Sequence, residues 1–503
     1  MKLPLGIQHF TTIREEGWAY VDKTRQIYEL VTTGKFYFLS RPRRFGKSLT
    51  VSTLHELYTG NRKLFEGLWI EDRWDWQRVR PVVWLEFASS GYQSLGLEAA
   101  IRQILDAAAE RHGLTLTAAS ADLRFQELIT RLAAGIEKVV LLIDEYDKPL
   151  IDYVGEPEKM ESNKKILKAF YSILKNAGDK IELLFITGVS AFSQVSLFSD
   201  LNNLTNLTLD YAAATLVGIT SEELEASFAE LLHDVDRNRL REWYNGYSWD
   251  GINRLYNPWS LLNYLRSKQF HNYWYVTGTP SFLPVLLARH KIVELPELVS
   301  SSYALLQFKI DELQPIPLLF QTGYLTMARP VDEFGDIVLD YPNREVRQAL
   351  DQELLQAYTR STDGLAAARR IRQAVLSLDF ETMVEEFRVL LAAVPYEHFS
   401  GQNEHFFHAI FYLTLRTVGV NAKSEVHTAR GRCDLLIELP EAVVVIEFKL
   451  NQSAEVALQQ IVQNGYLAPY TTDPRRKVAV GVSINSRDKT IEDWQVTIAP
   501  RNP

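Results

Sequence analysis

The chain has 503 residues, 46% hydrophobic and 23% charged. That is the composition of about three folded domains with full-sized cores, not of a disordered or fibrous chain. Its 54 basic and 63 acidic residues leave a net charge of −9, which excludes a whole-chain basic footprint for nucleic acid and leaves only local patches for such a partner. Cys433 is the single cysteine, so neither an intrachain disulfide nor a cysteine-built zinc cluster is available, and no apolar run reaches the ~18 residues of a membrane span. No signal peptide is expected at Met1 to Phe10, and the single cysteine fits a reducing, cytoplasmic setting.

From residue 20 to about 215, short apolar runs alternate with helical patterns. The runs are Phe36 to Leu39, Val82 to Phe87, Val139 to Ile143, Leu183 to Ile186 and Leu204 to Leu209, with helices at Leu97 to Arg111 and Asn163 to Asn176. This predicts a mostly parallel sheet covered on both faces. Residues 216–395 read as mostly helical and rich in aromatics. Residues 396–503 return to mixed character: a helix from Asn403 to Thr417, three strands, a helix from Ala454 to Tyr466 and a strand from Lys477 to Ser483. The expected organisation is therefore an α/β multidomain chain with parts 1–215, 216–395 and 396–503.

The first of these strands runs into Ser40-Arg-Pro-Arg-Arg-Phe-Gly-Lys-Ser48 and then into a helix. Strand, loop, Gly46-Lys47-Ser48 and helix is the setting of a P-loop, whose backbone N–H groups and helix N-terminus attract phosphate. Arg43, Arg44, Phe45 and Gly46 would line the phosphates. Lys47 would reach the β- and γ-phosphates, and Ser48 would hold Mg²⁺. The first glycine of the usual motif is Arg41 here. Val139-Val-Leu-Leu-Ile-Asp-Glu145 is a buried strand ending in two acids, as a Walker B strand does. Asp144 would serve Mg²⁺ and Glu145 the attacking water. Thr187, at the end of the Leu183 to Ile186 run, stands where a γ-phosphate sensor or a strand-end cap would.

The second site lies on Arg432-Cys-Asp-Leu-Leu-Ile-Glu438 and Val443-Val-Val-Ile-Glu-Phe-Lys449, joined by Leu439-Pro-Glu-Ala442. A four-residue loop suits a hairpin. Pairing Glu438 with Val443 sets Asp434 opposite Glu447, with Cβ atoms ~5 Å apart, and puts Lys449 on the same face. Leu435, Ile437, Ile446 and Phe448 fill the other face. Opposed carboxylates repel unless a cation lies between them, and two hard oxygen donors suit Mg²⁺, or Mn²⁺ as the alternative. Lys449 could orient a metal-bound water. Glu404 precedes these strands and Gln460 follows them, each on a helix.

Several strings then resemble one family. Tyr20-Val-Asp-Lys-Thr24, Arg41-Pro-Arg-Arg-Phe-Gly-Lys-Ser48, Ile143-Asp-Glu-Tyr-Asp-Lys-Pro149, Phe198-Ser-Asp-Leu-Asn-Asn203, Tyr256-Asn-Pro-Trp259, Tyr273-Trp274 with Thr277-Gly-Thr-Pro280, and Gln321-Thr-Gly-Tyr324 resemble the AAA-ATPase-like family. Gly431-Arg-Cys-Asp434, Glu447-Phe-Lys449 and Gln460 with Gly465-Tyr466 resemble its C-terminal PD-(D/E)XK nuclease domain. The resemblance implies an AAA/STAND-type P-loop ATPase, a helical middle region and a restriction-endonuclease-like α/β domain. It makes Arg41 ordinary, matches Asp434, Glu447 and Lys449 to a nuclease triad, and gives Glu404 and Gln460 accessory places. Where the family carries a basic residue in Thr187-Gly-Val-Ser-Ala-Phe-Ser193, this chain has Ala191, which implies weak ATP turnover.

Two functions follow as expectations. One is an ATP-binding, Mg²⁺-dependent nuclease acting on nucleic acid, DNA by preference. The other is a nucleotide-switched scaffold that binds without cutting. A motor is disfavoured because no arginine finger is identifiable, and a homo-oligomer that supplies one is left open. His405 and His408 read as helix-face residues, Asp22 with Lys23 as a structural pair or helix start, and Asp147 as a turn cap. Trp243, Tyr244, Tyr247, Trp249, Tyr256 and Trp259 read as core.

Overall fold

The computed structural model describes residues 1–88, 90–135, 137–153, 155–191, 197–198, 201, 203–275, 287, 298–306, 315–359, 364–394, 404–428 and 430–499. The Thr277 to Pro280 string, Ser193, and Ser199, Asp200 and Asn202 lie outside the described residues. The chain divides into two compact units, Met1–Thr279 with Pro296–Val346, and Pro280–Leu295 with Arg347–Pro503.

The first unit is built on β1 (Phe36–Ser40), β2 (Val82–Glu86), β3 (Val139–Asp144), β4 (Ile181–Gly188) and β5 (Thr205–Asn206). They are parallel in the order β2-β3-β4-β1-β5. All six residues of β3 are buried, as a strand covered by helices on both faces must be. The connection from β1 runs past β4 and β3 to β2, whereas that from β4 runs past β1 to β5, so the two connections leave this neighbouring pair in opposite directions across the sheet. Such a switch opens a crevice at the carboxyl ends of the strands. The fifth strand is shorter than the Leu204 to Leu209 run predicts, and the Asn163 to Asn176 helix becomes Pro157–Ser172 followed by a 3₁₀ turn, Ile173–Asn176. The helix predicted at Leu97 to Arg111 forms with those bounds.

Beyond the sheet, this unit adds β6 (Asn245–Tyr247) paired with β7 (Leu255–Tyr256). A three-stranded sheet follows, β8 (Leu298–Ser301), β10 (Asp336–Asp340) and β9 (Thr326–Met327), in the order β8-β10-β9. The predominantly helical middle thus carries small sheets that helical periodicity did not reveal. The six aromatics read as core divide. Trp243, Tyr244 and Tyr256 join one apolar cluster around Leu240 and Leu261, Tyr247 and Trp249 pack against Phe45 of the loop after β1, and Trp259 is only half-buried, with Arg44 over its ring. Asp22 does start a helix, accepting from Thr24 N at 2.8 Å, but Lys23 pairs with Glu223 at 2.7 Å and not with Asp22.

The second unit holds β11 (Ala422–Thr428), β12 (Gly431–Glu438), β13 (Ala442–Leu450), β14 (Arg476–Asn485) and β15 (Thr490–Ala499), in sequential order. Only β13 and β14 pair in parallel, and the Ala454–Gln463 helix makes the crossover that a parallel pair needs. The final strand had no counterpart in the sequence reading. The Glu404–Thr417 helix covers the opposite face, with Phe411 4.7 Å from Phe448 and stacked at 3.8 Å on Phe387. Among the described residues no helix is long and apolar enough to cross a membrane.

Candidate functional sites

At the end of β1, Arg44 and Gly46 take left-handed backbone conformations (φ 68° and 99°) that turn the chain into the Lys47–Tyr58 helix. Arg41 is fully buried. Its guanidinium donates to the carbonyls of Ser40, Thr208 and Ala213, and burial pushes its pKa down to about 9. The residue that replaces the first glycine therefore ties the loop to the chain after β5. Arg44 is exposed over the Trp259 ring, Phe45 is buried, and the Arg43 carbonyl accepts from the Trp274 indole. Lys47 is buried with Nζ folded onto the carbonyls of Arg41 and Pro42, both at 2.9 Å. Ser48, half-buried, follows it in the first helical turn.

The acids come to this loop from β3, which is separated from β1 by β4. Burial lowers the Lys47 pKa, and the fields of Glu145, Asp144 and Asp147 oppose that. Asp144 is buried. Its Oδ1 accepts from the Thr187 hydroxyl and, at 3.1 Å, from Glu145 N, while its Oδ2 is buried without a protein partner. An orphaned carboxylate oxygen is what a cation or its bound water would satisfy, so the donor set fits Mg²⁺. Glu145 holds a left-handed φ of 54°, strained for a non-glycine residue, and burial raises its pKa.

Asp147 is not a turn cap. Fully buried, it accepts from Val189 N (3.1 Å), Ser190 N (2.7 Å) and Ser190 Oγ (2.6 Å), locking the turn after β3 to the segment after β4. Ala191 is buried, and its backbone N–H donates to Gln321 at 2.7 Å.

In the second unit the predicted register forms, with Glu438 opposite Val443 and Leu435 opposite Ile446. At Asp434 the ladder gives way to side chains: Phe448 N donates to Asp434 Oδ2 at 2.8 Å, and Asp434 N donates to Glu447 Oε2 at 3.3 Å. Glu447 is 1% exposed. Lys449 Nζ donates to its Oε1 at 3.2 Å, and Gln460 Nε2 donates to the same oxygen. Burial first, and the Asp434 charge second, push the Glu447 pKa up to about 7; burial also raises that of Asp434. Two carboxylates that are costly to ionise fit a divalent cation by their chemistry, although the described residues contain no cluster of three or more acidic, His or Cys ligands.

Gln460 reaches Glu447 because Gly481, the register partner of Glu447, lets the Ala454–Gln463 helix lie against β14. A Cβ there would sit 2.3 Å from the Ala454 carbonyl oxygen. The sequence reading missed Gly481. Its signal was a glycine inside the apolar run Val478-Ala-Val-Gly-Val482. Tyr466, quoted only in a motif, receives bonds from Gln460 and Asn464. His408 Nε2 donates to the Asp434 carbonyl, 2.7 Å away, as a helix-face residue. Glu404 opens its helix, and its side chain and that of His405 lie outside the described residues.

A family model described as Predicted AAA-ATPase matches residues 4–198, and one described as PD-(D/E)XK nuclease superfamily matches residues 402–494. The chain is 36% identical to the "Uncharacterized protein in vnfD 5'region" of Azotobacter chroococcum mcd 1, covering 97% of each chain. No solved structure matches. Two strand-borne acid sites, each beside a lysine, thus sit inside the two matched regions, and the chain belongs to the AAA-ATPase-like family with a C-terminal PD-(D/E)XK nuclease superfamily domain.

Proposed function

We propose that the chain binds and hydrolyses ATP at the first site and, under that control, cleaves nucleic acid phosphodiesters at the second with Mg²⁺ or Mn²⁺, DNA being the substrate. The observation that carries the reading is the charge deficit around Glu447. Buried Glu447 pairs with Lys449, half-buried Asp434 feels the same lysine's field, and the Glu447 pKa is pushed up to about 7. A divalent cation bound there supplies the missing positive charge and lowers the pKa of water.

Asp434 and Glu447 would hold that cation. Lys449 would orient the attacking water or meet charge developing on the phosphate. Gln460 would keep the Glu447 carboxylate aimed once Lys449 turns away from it. At the first site Lys47 would exchange the loop carbonyls for phosphate oxygens, with Ser48 and Asp144 serving Mg²⁺ and Glu145 placing water. Thr187, bonded to Asp144, would be drawn toward the γ-phosphate. A cytoplasmic protein that forms homo-oligomers, with an arginine from a neighbour, would complete this chemistry.

A second reading, a nucleotide-switched binder that does not cut, is favoured by one observation. Both oxygens of Glu447 already hold protein donors. Plasmid and linear DNA incubated with Mg²⁺ or Mn²⁺, with and without ATP, beside Asp434→Ala and Lys47→Ala, decide between them. Cutting lost in Asp434→Ala and altered in Lys47→Ala supports the nuclease. No cutting with either metal, alongside normal ATP binding, supports the binder.

A further inference from the structure

The loop from Ser40 to Gly46 is gripped residue by residue from outside the parallel sheet. The Arg41 guanidinium lies 4.2 Å from the Trp249 ring. Phe45 meets Tyr247 and Trp249 edge-on at 4.7 and 5.2 Å, and Arg44 covers Trp259 at 4.6 Å. Pro42 abuts Gly323, whose φ is +91° and where an added Cβ would lie 2.6 Å from Pro42 Cγ and 3.3 Å from the Trp274 ring. Trp274 is fully buried. Its indole N–H donates to the Arg43 carbonyl at 3.0 Å, and its backbone N–H donates to the Glu345 carboxylate at 2.7 Å.

A loop that cradles an anion turns its N–H groups inward and its carbonyls away. A carbonyl turned toward protein needs a donor. For Arg43 that donor is the Trp274 indole. We propose that Trp274 is a positioning residue for nucleotide binding: its indole N–H fixes the Arg43 carbonyl so that the neighbouring loop amides face phosphate, and phosphate entry is registered at the indole. Glu345 supports this by anchoring the Trp274 backbone. The inference rests on the P-loop reading above and extends it to a residue far along the chain that no phosphate motif contains.

The test titrates MgATP into the full chain by calorimetry, with tryptophan emission followed in parallel, for wild type, Lys47→Ala, Trp274→Phe and Gly323→Ala. Trp274→Phe keeps a ring and loses the N–H. It should weaken binding about fivefold, the worth of one neutral hydrogen bond, and abolish the ATP-induced emission change. Gly323→Ala crowds Pro42 and Trp274 while keeping the indole, so binding should weaken with the emission change retained; it also carries the test if Trp274→Phe does not fold. If wild type binds ATP and both variants bind as tightly, with the emission change preserved in Trp274→Phe, the proposal is overturned and the ATP reading stands. If wild type binds no ATP, with Lys47→Ala indistinguishable from it, the ATP reading fails and takes the proposal with it.

Discussion

The two candidate sites each bring a lysine together with two acids carried on or just past strands, yet they satisfy those charges in opposite ways. In the first unit the cation turns inward: Lys47 donates to its own loop's carbonyls, and Asp144 keeps a buried oxygen with no partner. In the second unit the acid is satisfied: Lys449, Gln460 and Asp434 N all donate to Glu447. The difference follows from what surrounds each lysine. The Arg41 and Pro42 carbonyls draw Lys47 onto its own loop, whereas Lys449, which also donates to the Phe448 carbonyl at 3.0 Å, still reaches the Glu447 carboxylate on its own strand. The first site therefore needs a lysine movement to accept phosphate, and the second needs protein donors released from Glu447 to accept a metal.

The largest effect that would break this comparison is on cleavage. Asp434→Ala should lower the rate of DNA cutting about a thousandfold or more, since losing a metal ligand forfeits several kcal/mol of charge stabilisation. An unchanged rate would sink the proposed nuclease site. Next, Lys47→Ala should weaken ATP binding by about 10- to 100-fold, the worth of a charged hydrogen bond to phosphate, in a calorimetric titration. Equal affinity would mean that the retracted lysine never leaves its carbonyls.

A smaller effect concerns pH. With Glu447 held near 7, protons compete with metal at the second site, so Mg²⁺ affinity should rise with pH by up to about tenfold per unit until it levels above 7. Metal-dependent thermal shifts from pH 5.5 to 8.5 would follow it. The sign for metal-free stability is the reverse. The folded state holds this proton more tightly than the unfolded chain, so the stability it contributes is full below the ordinary glutamate value of 4.5 and is lost as pH rises through about 7. Glu447→Gln should remove that decline in urea melts. Smallest of all, Gln460→Ala should slow cutting only about threefold to tenfold, because Lys449 still meets the same oxygen. A loss as deep as that of Asp434→Ala would promote Gln460 from aiming the carboxylate to holding the metal.

Much of this was legible without coordinates, for a physical reason. Phe36 to Leu39, Val139 to Ile143 and Val443 to Ile446 are apolar runs of strand length, and Asp144 and Glu447 stand out at the ends of the last two. The hairpin register followed from period-two alternation and a four-residue loop, and it placed Asp434 beside Glu447. Local pattern also located Gly46-Lys47-Ser48 at a strand-to-helix junction.

What tertiary structure alone decided are the partners that arrive from far along the chain. Asp147 read as a cap because its donors, Val189 and Ser190, come from another strand's end. Trp274 reaches Arg43 across 231 positions, and no local period encodes such a meeting. Gly481 shows its use only when a crossover helix lies on it. The sequence by itself determined which residues are buried, charged and strand-borne. Tertiary packing decided which donors each charge receives, because the polar partners of a buried group are chosen by the path of the whole chain.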